Sequence, residues 1–336
     1  MARYWCGLCG LRAAILLALA TAIPLALIAS LERAATAAGG TIGFRSGSWF
    51  GECAKWDPPR RRFLISTFLE GQIAEIRLPG IADGSELEAR TVIADDDVAG
   101  NASLGIAIDA ARGRFLVVYA DVRRFRSAAV ASYGLDSGER FFLTRLSCPD
   151  DEPSFADDVA VDDDGNAYVT DAKSNKIWKV GLNGELQSII RSDLFSQNKE
   201  WYRSFVGLNG IVHHRNGYLL AVHTAAGQLF KVDTKTEEVR VVRVAGSVLM
   251  GDGMELLSPT KLVVAGAFPC ARIVESFDDW ETAAVTARYV GPLHRVATAA
   301  TAVEGKVYVN YLLDLGILRR RHVLTEAVFS RGFAAK

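Results

Sequence analysis

Residues 155 to 166 read FADDVAVDDDGN, with five aspartates in eight positions. Their spacing does not make an EF-hand loop, because the alternating D-x-[DN]-x-[DN]-G ligands and the distant glutamate are missing. Asp162, Asp163 and Asp164 run into Gly165-Asn166, which is the chemistry of a tight turn between strands. Asp157 and Asp158 are placed differently, just ahead of the apolar run VAV. Other polar residues stand ahead of comparable runs: Glu52 before AKW, Asn209 before IVHH and Asp252 before MELL. Three carboxylates and an amide oxygen form a set of hard donors, suited to calcium, magnesium or manganese rather than to a soft metal. Two like charges about 5 Å apart repel by about 3 kcal/mol at an effective dielectric near 20. A converged set therefore needs a divalent cation, protonation or separation. Unconverged, the same four residues are ordinary hydrogen bonders at strand ends.

Glu52 and Asp252 lie 200 positions apart, so they meet only if a repeat brings equivalent positions together. Such a repeat runs through the chain after residue 50. Six units each pair a polar turn with a β-branched or aromatic run: DPPRRRFLI, DAARGRFLVV, DDDGNAYVT, HRNGYLLAV, LSPTKLVVAG and VEGKVYVNY. Proline, glycine and Asn-Gly or Asp-Gly pairs in the turns are hairpin signals. Third strands follow at GQIAEIRL, NKIWKVGL and GQLFKVD. A spacing of roughly 40 to 55 residues is the period of a four-stranded propeller blade. The expectation is an all-β, six-bladed β-propeller over residues 41–336. Inner strands should start near Ala54, Gly105, Asp158, Gly210, Gly253 and Thr298. A strand between Thr41 and Phe50 should close the ring by completing the blade of HVLTEAVF. One helical turn is expected near residues 192–204. Residues in one phase of a propeller share one height around its channel, so Glu52, Asp157, Asn209 and Asp252 are predicted to converge at one mouth.

Composition agrees with a single large folded body: half the residues are hydrophobic and 23% are charged. A formal charge of −1 gives no electrostatic reason to expect a nucleic-acid partner. The basic runs at Arg60-Arg61-Arg62, Arg123-Arg124 and Arg319-Arg320-Arg321 read as solvated faces beside turns. Ahead of the body, Ala13 to Ser30 holds no charge and is preceded by Arg3 and Arg12. Residues 1–40 thus read as a hydrophobic leader, either a cleaved signal peptide or a retained signal-anchor helix. The body would then face the lumen or the exterior, in contact with the membrane only through an uncleaved leader. Cys53, Cys148 and Cys270 lie outside the leader, so at most one disulfide forms. Asn101-Ala-Ser103 is a glycosylation sequon in a lumenal body.

These motifs also carry a family likeness. The body resembles the senescence-marker-protein/gluconolactonase family and its plant relatives, the calcium-dependent phosphotriesterase-like or NHL-repeat proteins. GECAKWD is similar to that family's opening Glu-Gly-Pro-x-Trp, with Glu52 on the metal-binding glutamate. DDVAVDDDGNAYVTDA is similar to the blade with the first asparagine ligand, where this chain has Asp157. GLNGIVHHRNGYLLAVH puts Asn209 on the second asparagine ligand. GDGMELL puts Asp252 on the aspartate that is both ligand and general base in the lactonases.

The resemblance implies a hydrolase of small lactones, esters or phosphotriesters. Its ion would be a divalent cation, calcium first, with magnesium, manganese and zinc as alternatives. Sugar lactonases carry an arginine two residues before the first asparagine ligand. Phe155 stands there instead, which shifts the expectation from a polyol towards an apolar lactone or ester. His213, His214 and His223 lie close to Asn209 in sequence. Paraoxonase-like relatives place histidines near the metal, although strand histidines are more often packing. No G-x-S-x-G serine elbow occurs. The alternative reading is a non-catalytic propeller that presents its faces to protein partners, with a structural ion or none.

Overall fold

The computed structural model describes residues 18, 20–27, 29–30, 40–78, 87–196, 206–292, 294–313 and 321–331. From residue 42 onward these form one compact unit, mostly β-sheet in a propeller-like arrangement. Four-stranded antiparallel sheets are built from Ala54–Asp57 to Arg90–Ile93, from Ala102–Asp109 to Arg140–Ser147, and from Ala156–Val161 to Leu186–Arg191. Within each, the first two strands are joined by the turn read from sequence. In the third sheet Asp162 accepts from Asn166 N at 2.8 Å, Asn166 Nδ2 at 2.9 Å and Tyr168 Oη at 3.1 Å. That carboxylate is consumed by its own turn.

Closure follows the predicted plan. Thr41–Arg45 lies beside Arg321–Glu326 in the sheet that begins with Val296–Val303 and Lys306–Leu313. Phe44 stacks on His322 with ring centroids 5.4 Å apart. The first strands of the six hairpin runs, starting at Ala54, Ala102, Ala156, Leu208, Gly251 and Val296, contact one another in a closed ring. One feature departs from six separate sheets. Val239–Ala245 and Thr282–Tyr289, each the outer strand of its run, pair in parallel and fuse two four-stranded runs into a nine-stranded sheet completed by Ser330–Arg331. Outer strands expose unpaired N–H and C=O groups, and pairing them with each other removes two open edges.

The core lies between adjacent sheets. Trp178, with Leu116, Val118 and Val169, fills the space between the second and third sheets, and Trp280 with Val264 and Val274 lies in the fused sheet. Turns at the hairpin end are clamped by buried charge. Arg114, 3% exposed, donates to Asp109 Oδ2 at 2.9 Å and reaches the next sheet at Leu182 O (2.7 Å) and Gly165 O (2.6 Å).

The unit spanning residues 1–41 is described only in part: residues 18, 20–27, 29 and 30 are helical and exposed. Among the described residues no helix is long and apolar enough to cross a membrane. The rest of the predicted leader lies outside the described residues. Cys53, Cys148 and Cys270 are all free thiols. In the sequon, Asn101 accepts from Ser127 Oγ at 2.9 Å, and Ser103 is fully buried with its hydroxyl on Gln72 O. Near Ser192 the expected turn is a short 3₁₀ helix, Asp193–Ser196, and residues 197–205 lie outside the described residues.

Candidate functional site

The first strands begin two or three residues earlier than predicted at five of the six positions, and the reason is a recurring β-bulge. In four strands the ladder skips a pair of residues that faces a single residue of the second strand. The skipped pairs are Leu104-Gly105, Asp157-Asp158, Asn209-Gly210 and Asp252-Gly253. A bulge re-aims side chains out of the ladder and is common beside functional sites. Here the bulges carry three of the four predicted ligands. Glu52 reaches the same level without a bulge, since its N–H donates to Ser66 O at 3.1 Å just outside the Ala54–Asp57 strand.

Close approach of neighbouring strands depends on what occupies the second bulge position. A Cβ on Gly210 would lie 2.2 Å from Asp252 O, and one on Gly253 would lie 2.6 Å from Thr298 O. Asp158 replaces glycine in the third bulge, and its carboxylate caps Val159 N at 2.9 Å and Ile211 N at 3.2 Å. Gly210→Ala should therefore push Asp252 out of place. We expect a loss of about 1–3 kcal/mol in urea unfolding, as for other overpacked sites. An unchanged midpoint would show that the ring widens freely.

Side chains on second strands grip the backbone of the following sheet's site residue. Thr170 Oγ1 donates to Asn209 O at 2.6 Å, and Thr224 Oγ1 donates to Gly251 O at 2.7 Å. Asn310 Nδ2 donates to Gly51 O at 2.8 Å and Glu52 O at 2.9 Å, which carries the same tie across the closure. Asp157, Asn209 and Asp252 thus occupy the same bulge position of three neighbouring first strands.

The carboxyls among them lie near enough to raise one another. Glu52 is pushed well above the usual carboxylate range by burial first, then by Asp157, Asp252 and Asp158. Asp157 is raised by burial, Asp252 and Asp158. Burial and Asp158 lift Asp252 to about 7, against hydrogen bonds from Gly253 N and the Asn209 side chain. Asp158 is raised to about 6, chiefly by burial. Glu52 Oε2 is buried with no hydrogen-bond partner.

Sequence reasoning missed three members of this cluster. Besides Asp158, Lys55 reaches across the channel to Glu255 Oε2 (2.8 Å), Met254 O (3.2 Å) and Ala300 O (3.4 Å). Burial opposes the Lys55 charge, but Glu255 outweighs it and the ammonium is held above its usual range. Lys55 was legible only as one residue of AKW, since its partners lie about 200 and 245 positions away.

The histidines stay outside the cluster. His214 stacks on Tyr218 at 4.4 Å and shares a hydrogen bond with Pro259 O, and His223 Nδ1 accepts from Ala226 N. Burial lowers both, His223 to about 4. Phe155 meets Phe125 edge-on at 5.8 Å, an aromatic pair beside Asp157.

The donor types are those a hard cation takes: three carboxylates, one of them Glu52 with an orphaned oxygen, and one amide oxygen, in a buried, charge-crowded place. Among the described residues, no group of three or more His, Cys, Asp or Glu side chains is drawn close enough to hold a metal ion.

No protein-family profile and no curated protein matches the sequence. Solved structures do match. The major Malassezia sympodialis allergen Mala s 1 is 15% identical, with a TM-score of 0.67 over 87% of this chain and 96% of that one. A luciferin-regenerating enzyme is 15% identical, with a TM-score of 0.54 over 88% and 98%. A catalytically inactive virginiamycin B lyase from Staphylococcus aureus, solved with quinupristin, is 10% identical, with a TM-score of 0.54 over 83% and 80%. At these identities the likeness shows the β-propeller fold alone.

Proposed function

We propose that this chain is a six-bladed, hydrolase-like propeller acting on a small lactone, ester or phosphotriester at the mouth that holds Glu52, Asp157, Asn209 and Asp252. The fused sheet counts as two blades in this reading. The observation that carries it is the crowding of buried carboxyls around an orphaned Glu52 oxygen. A divalent cation, calcium first, would be held by those four side chains; when bound, it polarises the scissile carbonyl or phosphoryl oxygen and makes a water more acidic.

The chain's own groups supply the rest. With no ion beside it Asp252 is lifted to about 7; a bound cation would lower that and leave a carboxylate able to accept a proton, as a general base must. It takes a proton from the attacking water, whose oxygen bonds to the carbonyl carbon or phosphorus. As the bond to the leaving oxygen breaks, the proton passes to that oxygen. The Asn209 amide orients Asp252 through its hydrogen bond. Phe125 and Phe155 offer an apolar wall, which favours an apolar acyl or aryl group over a polyol. By their names, two of the similar structures are enzymes, a lyase and a luciferin-regenerating enzyme.

The test is a metal-titrated hydrolysis screen of lactones, aryl esters and phosphotriesters. Asp252→Asn should lower kcat by about 10²-fold or more while keeping an oxygen ligand and most ion affinity. Glu52→Ala should abolish ion binding and turnover together. Equal turnover by both variants and wild type would defeat the reading.

The scaffold alternative draws on Lys55. A resident ammonium within reach of Glu52 and Asp158 offsets part of the charge without a metal. Calorimetry showing no divalent binding would favour it. We also propose that residues 1–40 direct the body into the secretory pathway; full-length protein found wholly in the cytosol with an intact leader would refute this.

A further inference from the structure

At the hairpin end of the first sheet, away from the mouth, a cavity of about 300 Å³ is lined by Arg62, Arg77 and Arg90. All three guanidiniums converge on one carboxylate. Glu75 Oε2 accepts from Arg62 Nη1 at 2.7 Å and Arg77 Nη2 at 3.4 Å. Its Oε1 accepts from Arg90 Nη2 at 2.6 Å and Arg77 Nε at 3.0 Å. Four donors saturate a carboxylate, which has about four acceptor sites. Burial works against the Glu75 charge, yet these bonds bring it down to about 2.

The donors are not saturated in return. Each guanidinium carries five N–H groups. Arg62 is committed inward, to Asp57 Oδ2 at 3.0 Å, Glu75 and Leu135 O. Arg77 and Arg90 have side chains 61% and 71% exposed, and among the described residues Glu75 is the carboxylate they pair with. Neither hydrogen bonds Asp136, the acid on the opposite wall, whose two oxygens are both taken by Arg60 at 2.6 Å. Among the described residues of this cluster four guanidiniums face three carboxylates, Asp57, Glu75 and Asp136, an excess of one positive charge. The acids at Asp95 and Asp97 are engaged by Arg140.

We infer that this cavity binds a small oxyanion, a phosphate or sulfate group, between the outward N–H groups of Arg77 and Arg90. Planar guanidinium forks match such oxygens in pairs, and charge-assisted bonds of this kind are about twice as strong as neutral ones. The Gly134–Gly138 turn of the second sheet forms the facing wall, so the ligand would span two sheets. The site is independent of the acid cluster at the mouth.

Inorganic phosphate and inorganic sulfate should each be titrated into the full-length protein by calorimetry, at ionic strength held constant with chloride. We expect saturable binding of at least one anion, with Kd raised tenfold or more in Arg77→Gln/Arg90→Gln. Arg90→Gln alone should weaken binding by a smaller factor and serves as the readout if the double variant fails to fold. Arg288→Gln, in another sheet, should leave binding unchanged. Binding of phosphate only or sulfate only identifies the carrier chemistry and supports the site. No saturable binding, or equal binding by Arg90→Gln and wild type, would overturn it.

Discussion

Stripped of divalent ions, the protein should lose stability as pH rises from about 4 to about 8, and recover it when calcium is added. Asp158 and Asp252 have folded pKa values near 6 and 7, up from an unfolded 3.8, and Glu52 and Asp157 are raised as well. Between those limits the folded state keeps protons that the unfolded chain has released. Stability is therefore greatest below the raised values and falls as pH climbs through them. At about 1.4 kcal/mol per unit, the two raised aspartates alone cost on the order of 7 kcal/mol by pH 8. Glu75 and Asp279, both lowered to about 2, act oppositely and withdraw stability only as pH falls below about 4. A cation binding only the folded state returns about 2.7 kcal/mol at a hundredfold excess over its Kd. Melting curves with chelator at pH 5 and pH 8, then with calcium at pH 8, measure each part. Equal melting temperatures in all three would remove the charge-crowding argument and the metal reading with it.

Arg114→Met should be the most damaging single change far from the mouth. Its guanidinium and the Asp109 carboxylate are each only 4% exposed, and two of its N–H groups satisfy carbonyls of the next sheet. Removing Arg114 leaves the buried Asp109 only the longer contact to Arg112 (3.2 Å) and strips two carbonyls of the next sheet of their donor, at a cost of about 3–5 kcal/mol. For a body of this size that corresponds to a fall of about 10 °C. The double variant Arg114→Met with Asp109→Leu should recover much of the loss, because it removes both charges. If the single variant melts within about 2 °C of wild type, this clamp contributes little.

Hairpin turns and blade period were legible in the sequence because they depend on residues close together in the chain. Asp162 to Asn166 makes its turn with its own neighbours. The nearness of the Glu52, Asp157 and Asp252 carboxyls was legible for a related reason, since equivalent positions of a repeat come together in a ring. The bulges were not, because a skipped pair is defined by the partner strand's register and leaves no pattern in the strand that carries it. That is why the predicted strand starts fell on Asp158, Gly210 and Gly253, inside strands that begin earlier. Nor was Lys55, whose partners lie about 200 and 245 positions further along the chain. The fused sheet was illegible too, as two exposed outer strands look the same whether or not they find each other.

Closure by Thr41–Arg45 against Arg321–Glu326 has a consequence for the order of events during synthesis. The strand made first must wait for one of the last. At about 5–20 residues per second, roughly 280 intervening residues take about 15–55 s to emerge. Throughout that interval the first sheet presents an unpartnered flank, and Glu52 lacks the Asn310 side chain that holds its backbone. The surroundings of Glu52 are therefore completed only when the last strands are made, and a chain truncated before Asn310 would carry most of the sheets with that backbone untied.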